Sequence, residues 1–154
     1  MNDDPRPPAG EDLRAAIFNQ VAEGIAVSTL DGRLVEINSK CCEILGFTAD
    51  DLRGRTFLDI THPDDVGASR NAMRQLLDRS LTALSFEKRY IRKDGTHLWV
   101  RRTMSPALDE HGRVRDSISV VEDITERKNA EERLQRERVL LRTIIDALPD
   151  LIHV

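Results

Sequence analysis

The feature that most constrains this chain is an abrupt change of hydrophobic period near residue 121. Apolar side chains alternate with polar ones along residues 114–121, as in a half-buried strand, and a helical pattern follows within a few residues. Asp123 is a good N-cap for that helix, and Glu126 stands where a capping-box side chain reaches back. This pattern predicts a β domain from which a helix departs, a geometry that favours transmitting a signal over performing chemistry in place.

The helix predicted over residues 126–148 carries a narrow apolar seam. With Arg127 at heptad position a, five of the seven a and d positions are apolar, and the flanks are charged or amide side chains. This spacing favours a parallel two-stranded coiled coil, with weak points at Arg127 and Glu137. The alternative is an amphipathic helix folded back onto its own domain. The predicted dimer seam consists of Ala130, Leu134, Leu141, Ile144 and Leu148.

Charge and cysteine content narrow the class of protein. The 23 basic and 27 acidic residues are interspersed without a basic stripe, so nucleic acid is not an expected partner. Neither an apolar run of membrane-spanning length nor a signal-peptide pattern occurs, so we expect no membrane contact within this chain and a cytoplasmic location. The adjacent Cys41 and Cys42 are too close for an unstrained disulfide and suit a reducing compartment.

Turn and cap signals divide the domain into two strands, a group of short helices and three further strands. Asp31-Gly32 and Asp94-Gly95 are hairpin signals, and Ser39 and Thr48 are the predicted N-caps of two short helices. Five strands in one antiparallel sheet, with the helices on one face, predict an α+β fold. The strands are predicted at 25–30, 33–38, 83–92, 97–108 and 114–121, and the helices at 11–23, 39–45, 49–52, 56–60 and from 62 onward.

A modest internal repeat suggests how the chain is organised. Displaced by 127 positions, residues 144–154 align with residues 17–27, and three of the eleven are identical. We therefore expect a second copy of the domain to begin at the end of the chain. The predicted organisation is a disordered lead-in at 1–10, a domain at 11–125, a linker helix at 126–148 and the start of a second domain at 149–154.

Six sequence motifs, in this order, resemble a PAS domain with its C-terminal PAC segment. The resemblance covers residues 11–128 and implies a five-stranded antiparallel sheet with short helices on one face, an N-terminal helix and a C-terminal linker helix. The motifs are 31–38 (DGRLVEIN), 45–48 with 51–54 (LGFT, DLRG), 62–65 (HPDD), 89–96 (RYIRKDGT), 99–100 (WV) and 123–128 (DITERK).

The resemblance implies a signalling role. PAS domains are sensors and dimerisation modules, usually upstream of histidine kinases, diguanylate cyclases or similar outputs. The implied partners are a second copy of this chain and, on the same polypeptide, a downstream PAS domain and an output domain. The Asp-Ile-Thr segment is similar to the family's link between sheet and output helix, so Asp123 and Thr125 are predicted to relay the signal.

The resemblance also bears on cofactors. Relatives that bind flavin covalently on illumination have a cysteine in the segment matching residues 54–59 and a glutamine where this chain has Val121, and neither is found here. Haem-binding relatives use a histidine on the long helix, and residues 66–79 contain none. Both cofactors are therefore disfavoured; the cofactor is unknown, and its absence is preferred.

The histidines and cysteines are predicted to have structural rather than chemical roles. The four histidines lack metal-ligand spacing, so no metal is expected, and His62 is expected to brace its loop through a hydrogen bond. A thiol-sensing role for Cys41 or Cys42 is the less favoured alternative to that of a small apolar side chain.

The remaining candidate site is the interior between sheet and helices. Its predicted lining is Ile37, Phe57, Ile60, Met73, Leu77 and Val120, and the alternative is that these residues are only packed core. No nucleophile–base pair, metal cluster or phosphate loop is recognisable, so enzymatic activity is not expected within this chain. Two functions stay open: a sensor that binds a small molecule and relays a signal to a dimeric helix, and a structural dimerisation module without a ligand.

Overall fold

The computed structural model describes residues 10–78 and 82–151. Residues 1–9 of the predicted lead-in and 152–154 of the predicted second domain lie outside the described residues. Two 3₁₀ turns, Phe57–Ile60 and Pro63–Asp65, precede the fourth helix. The other elements are α1 (Gly10–Gln20), β1 (Gly24–Ser28), β2 (Leu34–Ile37), α2 (Ser39–Leu45), α3 (Ala49–Leu52), α4 (Val66–Leu77), β3 (Leu84–Ile91), β4 (His97–Leu108), β5 (Val114–Asp123) and α5 (Thr125–Leu151).

The five strands form one antiparallel sheet in the order β2-β1-β5-β4-β3. β5 is central and pairs with β1 on one side and β4 on the other. The chain must cross from the edge strand β2 to the opposite edge strand β3, and α2, α3 and α4 lie in that connection. The predicted α+β architecture is confirmed, and β4 has its predicted bounds.

The core of the domain lies between the inner face of the sheet and the helices of the β2–β3 connection. Its apolar side chains come from every strand and from α2, α3 and α4, so one continuous layer is buried. The buried members are Ala26, Leu34, Cys41, Leu45, Leu52, Phe57, Ile60, Ala72, Met73, Leu76, Tyr90, Leu98, Val100, Met104 and Val121.

The N-cap of α2 differs from the prediction. Asn38, not Ser39, caps this helix: its Oδ1 accepts the backbone N–H of Cys41 at 2.9 Å, and Ser39 is the first helical residue. The same oxygen accepts the Ile25 N–H at 2.8 Å, while Nδ2 donates to the carbonyls of Phe18 and Glu23 at 2.8 and 3.0 Å. A fully buried amide therefore joins the last turn of α1 and the segment after it to the starts of β1 and α2.

The predicted cap of α3 is confirmed. Thr48 accepts the N–H of Asp51, and the Asp51 carboxylate accepts the N–H of Thr48, both at 3.1 Å. This reciprocal pair is a capping box with aspartate at the third helical position.

The hairpin between β1 and β2 depends on a glycine. Gly32 has φ +90°, a conformation that L side chains rarely adopt, and an added Cβ would lie 2.9 Å from the Phe57 ring. The turn at Asp31-Gly32 therefore places the polypeptide backbone directly against an aromatic ring of the core.

The described part of the chain divides into two compact units, one ending at residue 123 and the other beginning at residue 124. The first contains the sheet and the helices up to α4. The second contains α5, which extends three residues beyond the predicted linker helix and includes Pro149.

Candidate functional site

Two basic side chains lie on the buried face of the sheet. Burial alternates along β3, β4 and β5, as expected where one strand face meets a core. Lys88 of β3 and Arg102 of β4 fall on the inward face and are 1% and 2% exposed. Such burial is rare for these residue types unless they are paired with an opposite charge.

The Lys88 amine has neutral partners. Its Nζ donates to Thr61 Oγ1 at 2.8 Å and to Ser69 Oγ at 2.9 Å, and it lies 4.4 Å from the centroid of the Tyr90 ring. Burial, followed by the positive charge of Arg102, lowers the pKa of Lys88 to about 6, although Asp65 acts in the opposite direction. The amine is therefore mostly uncharged at neutral pH.

The Arg102 guanidinium cannot lose its charge in this way. Its Nε donates to Ser119 Oγ at 3.0 Å, and its Cζ lies 4.2 Å from the centroid of the Phe57 ring. Among the described residues, the buried Nη1 atom has no hydrogen-bond partner. A permanent positive charge therefore lies in the core with one of its donors unsatisfied.

No aspartate or glutamate is buried with these two basic side chains in the part of the chain that the structure describes. Asp65 is only partly buried, and Arg89 binds it through two side-chain bonds of 3.0 and 2.9 Å and a backbone bond of 2.8 Å. The hydrogen bonds from Arg89 hold the pKa of Asp65 below its usual range. Its charge is thus engaged mainly by Arg89 near the surface.

The interior contains a cavity of about 10 Å³ beside Arg102, which is roughly the space that one water molecule needs. Its lining combines three polar side chains with apolar ones. The lining residues are Ala26, Leu34, Ile37, Cys41, Leu45, Leu52, Phe57, Ile60, Tyr90, Arg102, Ser119 and Val121.

The predicted lining is partly reproduced by this cavity. Ile37, Phe57 and Ile60 line it, whereas Met73 is buried elsewhere in the core. The placement of Leu77 and Val120 in the interior is wrong, because their side chains are 39% and 38% exposed. In β5 the serines and Val121 point inward, so the opposite strand face carries Val120.

Sequence reasoning missed Lys88, Tyr90 and Arg102. The available signal was strand parity: Arg102 stands two residues from Val100 and Met104, and Lys88 stands two residues from Tyr90. A search for apolar residues alone passes over such positions, since it treats every charged side chain as solvent-facing.

A larger depression of about 580 Å³ lies on the surface among α1, β2 and α3. It is open to solvent, and the Arg14, Glu36 and Arg53 side chains around it are exposed. It lacks the enclosure that is typical of a small-molecule site, so the interior is the better candidate.

The thiols have little nucleophilic character. Burial, with a smaller contribution from the neighbouring thiol, raises the pKa of Cys41 to about 12, and burial also raises the pKa of Cys42. Because the thiolate is the reactive form, these environments favour a packing role.

His62 braces its loop as expected. Its Nδ1 accepts the N–H of Asp64 at 3.2 Å, and its ring meets that of His97 edge-on, with the centroids 4.8 Å apart. Among the described residues, no group of three or more potential ligands could hold a metal ion.

The predicted relay residues lie where sheet and helix are consecutive in sequence. Asp123 is the last residue of β5, is paired with Val100, and places a carboxylate oxygen 4.0 Å from Arg92 Nη2. The N–H of Lys128 bonds to the carbonyl of Ile124, which gives Ile124 the N-cap position. The prediction that Asp123 is the N-cap is therefore wrong, because the strand continues through it; Thr125 is the first helical residue.

Helix α5, taken by itself, exposes a broad apolar surface. Four of the predicted seam residues, Leu134, Leu141, Ile144 and Leu148, are 41–59% exposed. Val139, Leu140 and Ile145 are exposed as well, so the apolar surface is wider than an a/d stripe. None of the described helices is both long and apolar enough to cross a bilayer.

Comparison with known proteins places this geometry in a family. A family model described as the PAS fold matches residues 34–121, more than half of the chain. The probable diguanylate cyclase DgcE of Escherichia coli is 30% identical over 122 residues, which are 78% of this chain and 11% of that protein. The C4-dicarboxylate transport sensor protein DctS of Rhodobacter capsulatus is 31% identical over 119 residues, which are 77% of this chain and 18% of that protein. The chain thus spans less than a fifth of the length of these relatives.

Solved structures share the fold. A PAS domain from Colwellia psychrerythraea has a TM-score of 0.70 at 21% identity and covers 75% of this chain and 98% of that one. A PAS domain from a two-component sensor histidine kinase has a TM-score of 0.62 at 17% identity and covers 73% and 95%. The family model, which matches more than half of the chain, and the relatives in signalling proteins establish that the chain belongs to the PAS family and is a signal-transduction sensory module.

Proposed function

We propose that this chain is the input module of a larger signalling protein, and that it relays a change in its PAS core through Asp123 and Thr125 into a dimeric helix α5. The observation that carries the proposal is the junction. The central strand of the sheet ends at Asp123 and the helix begins at Thr125, with only Ile124 between them. A short connection of this kind is suited to passing movement of a strand to a helix.

The composition of α5 supports pairing with a second copy. Its apolar side chains are half-exposed, and its polar residues form i,i+4 pairs such as Arg127–Glu131 at 3.6 Å and Glu132–Arg136 at 3.8 Å. An exposed apolar helix surface bordered by charges is typical of an interaction site.

We further propose that an output domain and a second PAS domain belong to the same polypeptide, and that any catalysis lies there. DgcE and DctS are much longer than this chain, which supports an output domain on the same polypeptide. The internal repeat at residues 144–154 supports a second PAS domain. The two free thiols support a cytoplasmic location.

Sedimentation equilibrium tests the dimeric helix. Leu141→Glu places a charge in the proposed seam, and Thr143→Glu places the same charge on the opposite side of α5. Burying one leucine in each helix stabilises a dimer by about 3–6 kcal/mol in total, so Leu141→Glu should weaken dimerisation by at least about 100-fold. Thr143→Glu should leave it unchanged. Equal dissociation constants for the two variants would show that α5 is not part of the dimer interface.

A structural module without a ligand is the second candidate, and the nearly filled interior favours it. A cavity of about 10 Å³ has no room for a drug-sized molecule. The two candidates differ in whether anything binds beside Arg102.

A further inference from the structure

The core of this domain has an unbalanced charge. Lys88 and Arg102 both lie against the Phe57 ring, with Nζ 5.0 Å and Cζ 4.2 Å from its centroid. Their direct hydrogen-bond partners include the hydroxyls of Thr61, Ser69 and Ser119, and no buried carboxylate occurs among the described residues. Hydroxyls and aromatic faces stabilise a cation only in part, and an uncompensated buried charge is strongly unfavourable.

The unsatisfied atoms of the core concentrate on the same face of the sheet. Arg102 Nη1 lacks a partner within the described chain, and so do the hydroxyls of Ser28 and Ser117, which are paired across β1 and β5. Buried polar atoms without partners are infrequent in folded proteins and indicate a missing water, ion or ligand. Here the charged member is Arg102, and it lines the interior cavity.

We propose that the cavity beside Arg102 is a binding site for a compact monovalent anion, namely a halide ion such as chloride. The Nη1 donor supplies a charge-assisted hydrogen bond, and the guanidinium supplies the positive charge that such an anion requires. The water-sized cavity restricts the occupant to a small group. This inference deepens the proposed sensory function, on which its biological meaning rests, by naming the chemistry of the ligand.

Lys88 gives the site a means of responding to its occupant. Its amine shares the Phe57 ring with Arg102, and the charge of Arg102 contributes to the depressed pKa of Lys88. An anion beside Arg102 offsets that charge and favours protonation of the amine. The occupied and empty states would then differ in the charge of β3, the edge strand that carries Lys88.

Thermal unfolding of the 154-residue chain tests the site. Sodium gluconate, whose anion is too large for the cavity, is replaced at constant ionic strength by chloride, bromide or acetate, and acetate is a second anion that exceeds the cavity. At a halide concentration of ten times Kd, we expect the Tm to rise by about 3–6 °C. Arg102→Met removes the guanidinium and keeps an unbranched apolar side chain, and its anion affinity should fall at least about tenfold.

Arg101→Met is the matched control. Arg101 is the next residue of β4, faces the opposite side of the sheet and pairs with Glu87 and Glu122 at 3.8 and 3.3 Å. The Arg101→Met variant should retain the full anion-dependent rise in Tm. A rise with chloride and bromide but not with acetate identifies the halide site, whereas an equal rise with acetate would contradict it. A Tm that is independent of the anion, or an equal rise in Arg102→Met, would overturn the proposal.

A second measurement covers the case in which Arg102→Met does not fold. In crystals of the unaltered chain grown in bromide, anomalous scattering should place a bromide within hydrogen-bonding distance of Arg102 Nη1. A water molecule there would contradict the inference. Both measurements detect binding only, so they can fail while the dimeric-helix proposal survives, and the reverse also holds.

Discussion

Replacing Lys88 by methionine should stabilise the protein at neutral pH. The unfolded chain carries this lysine with a pKa near 10.5, whereas the folded core lowers the pKa to about 6. Folding at pH 7 therefore requires deprotonation, which costs about 1.4 kcal/mol for each pH unit below 10.5, or about 5 kcal/mol in all. Methionine has a similar length and carries no charge.

The substitution also removes two hydrogen bonds. Thr61 still donates to the Phe57 carbonyl at 2.7 Å, so Ser69 is the hydroxyl that loses its partner, at a cost of about 1–3 kcal/mol. Since this loss offsets part of the gain of about 5 kcal/mol, the expected net stabilisation is about 2–4 kcal/mol at pH 7.

The pH dependence provides the sharper test. The unfolded state binds more protons than the folded state between pH 6 and 10.5, so Lys88 makes the stability of the unaltered protein increase with pH in this window. Urea unfolding in gluconate buffer at pH 7, 8 and 9, followed by circular dichroism, should show a difference between the two proteins that shrinks by about 1.4 kcal/mol for each pH unit.

The other charged and titratable groups near residue 88 are the same in the unaltered protein and in the Lys88→Met variant. Arg102 stays charged throughout, Asp65 is ionised above pH 6, and Cys41 and Tyr90 have raised pKa values, so none of them titrates differently between the two folded proteins in this window. Parallel stability curves for the two proteins would refute the account of Lys88 as a neutral buried amine.

Three further outcomes are expected. Asn38→Ala should lower the free energy of unfolding by about 2–4 kcal/mol in urea titrations, because it removes a helix cap and leaves buried backbone groups without partners. A loss below 1 kcal/mol would contradict the role of this amide. Gly32→Ala should destabilise by about 1–3 kcal/mol more than Gly112→Ala, since both glycines have positive φ but only the first lies against an aromatic ring. Alkylation of the native protein at pH 8, mapped by mass spectrometry, should modify Cys42 and spare Cys41, and faster modification of Cys41 would show that its burial is not maintained.

Local signals in the sequence predicted the elements of the fold well. The capping box at Thr48 and the bounds of β4 follow from short-range chemistry that the rest of the structure does not override. The cap of α2 was misplaced by one residue because Asn38 and Ser39 are both good caps. Asn38 is the cap because its buried amide also bonds to the distant carbonyls of Phe18 and Glu23, and sequence spacing cannot reveal these bonds.

The inward face of β5 was not predictable from hydrophobicity. Ile118 and Val120 are 38% exposed on the outer face, while Ser117 and Ser119 are buried on the inner one. The usual rule that the apolar side of a strand faces the core therefore selects the wrong parity here. On the inner face the Ser119 hydroxyl accepts a hydrogen bond from Arg102 Nε, so the polar side chain of one strand has a charged partner on its neighbour.

The amide of Asn38 has a consequence for motion. Its two hydrogens and its oxygen serve four backbone groups from three separate segments, so no single segment can move away without leaving the others with unpaired groups in a dry environment. The N-terminal segment should therefore detach as a unit or not at all. Hydrogen exchange at Ile25 and Cys41 would then proceed at one common rate, set by a single opening event.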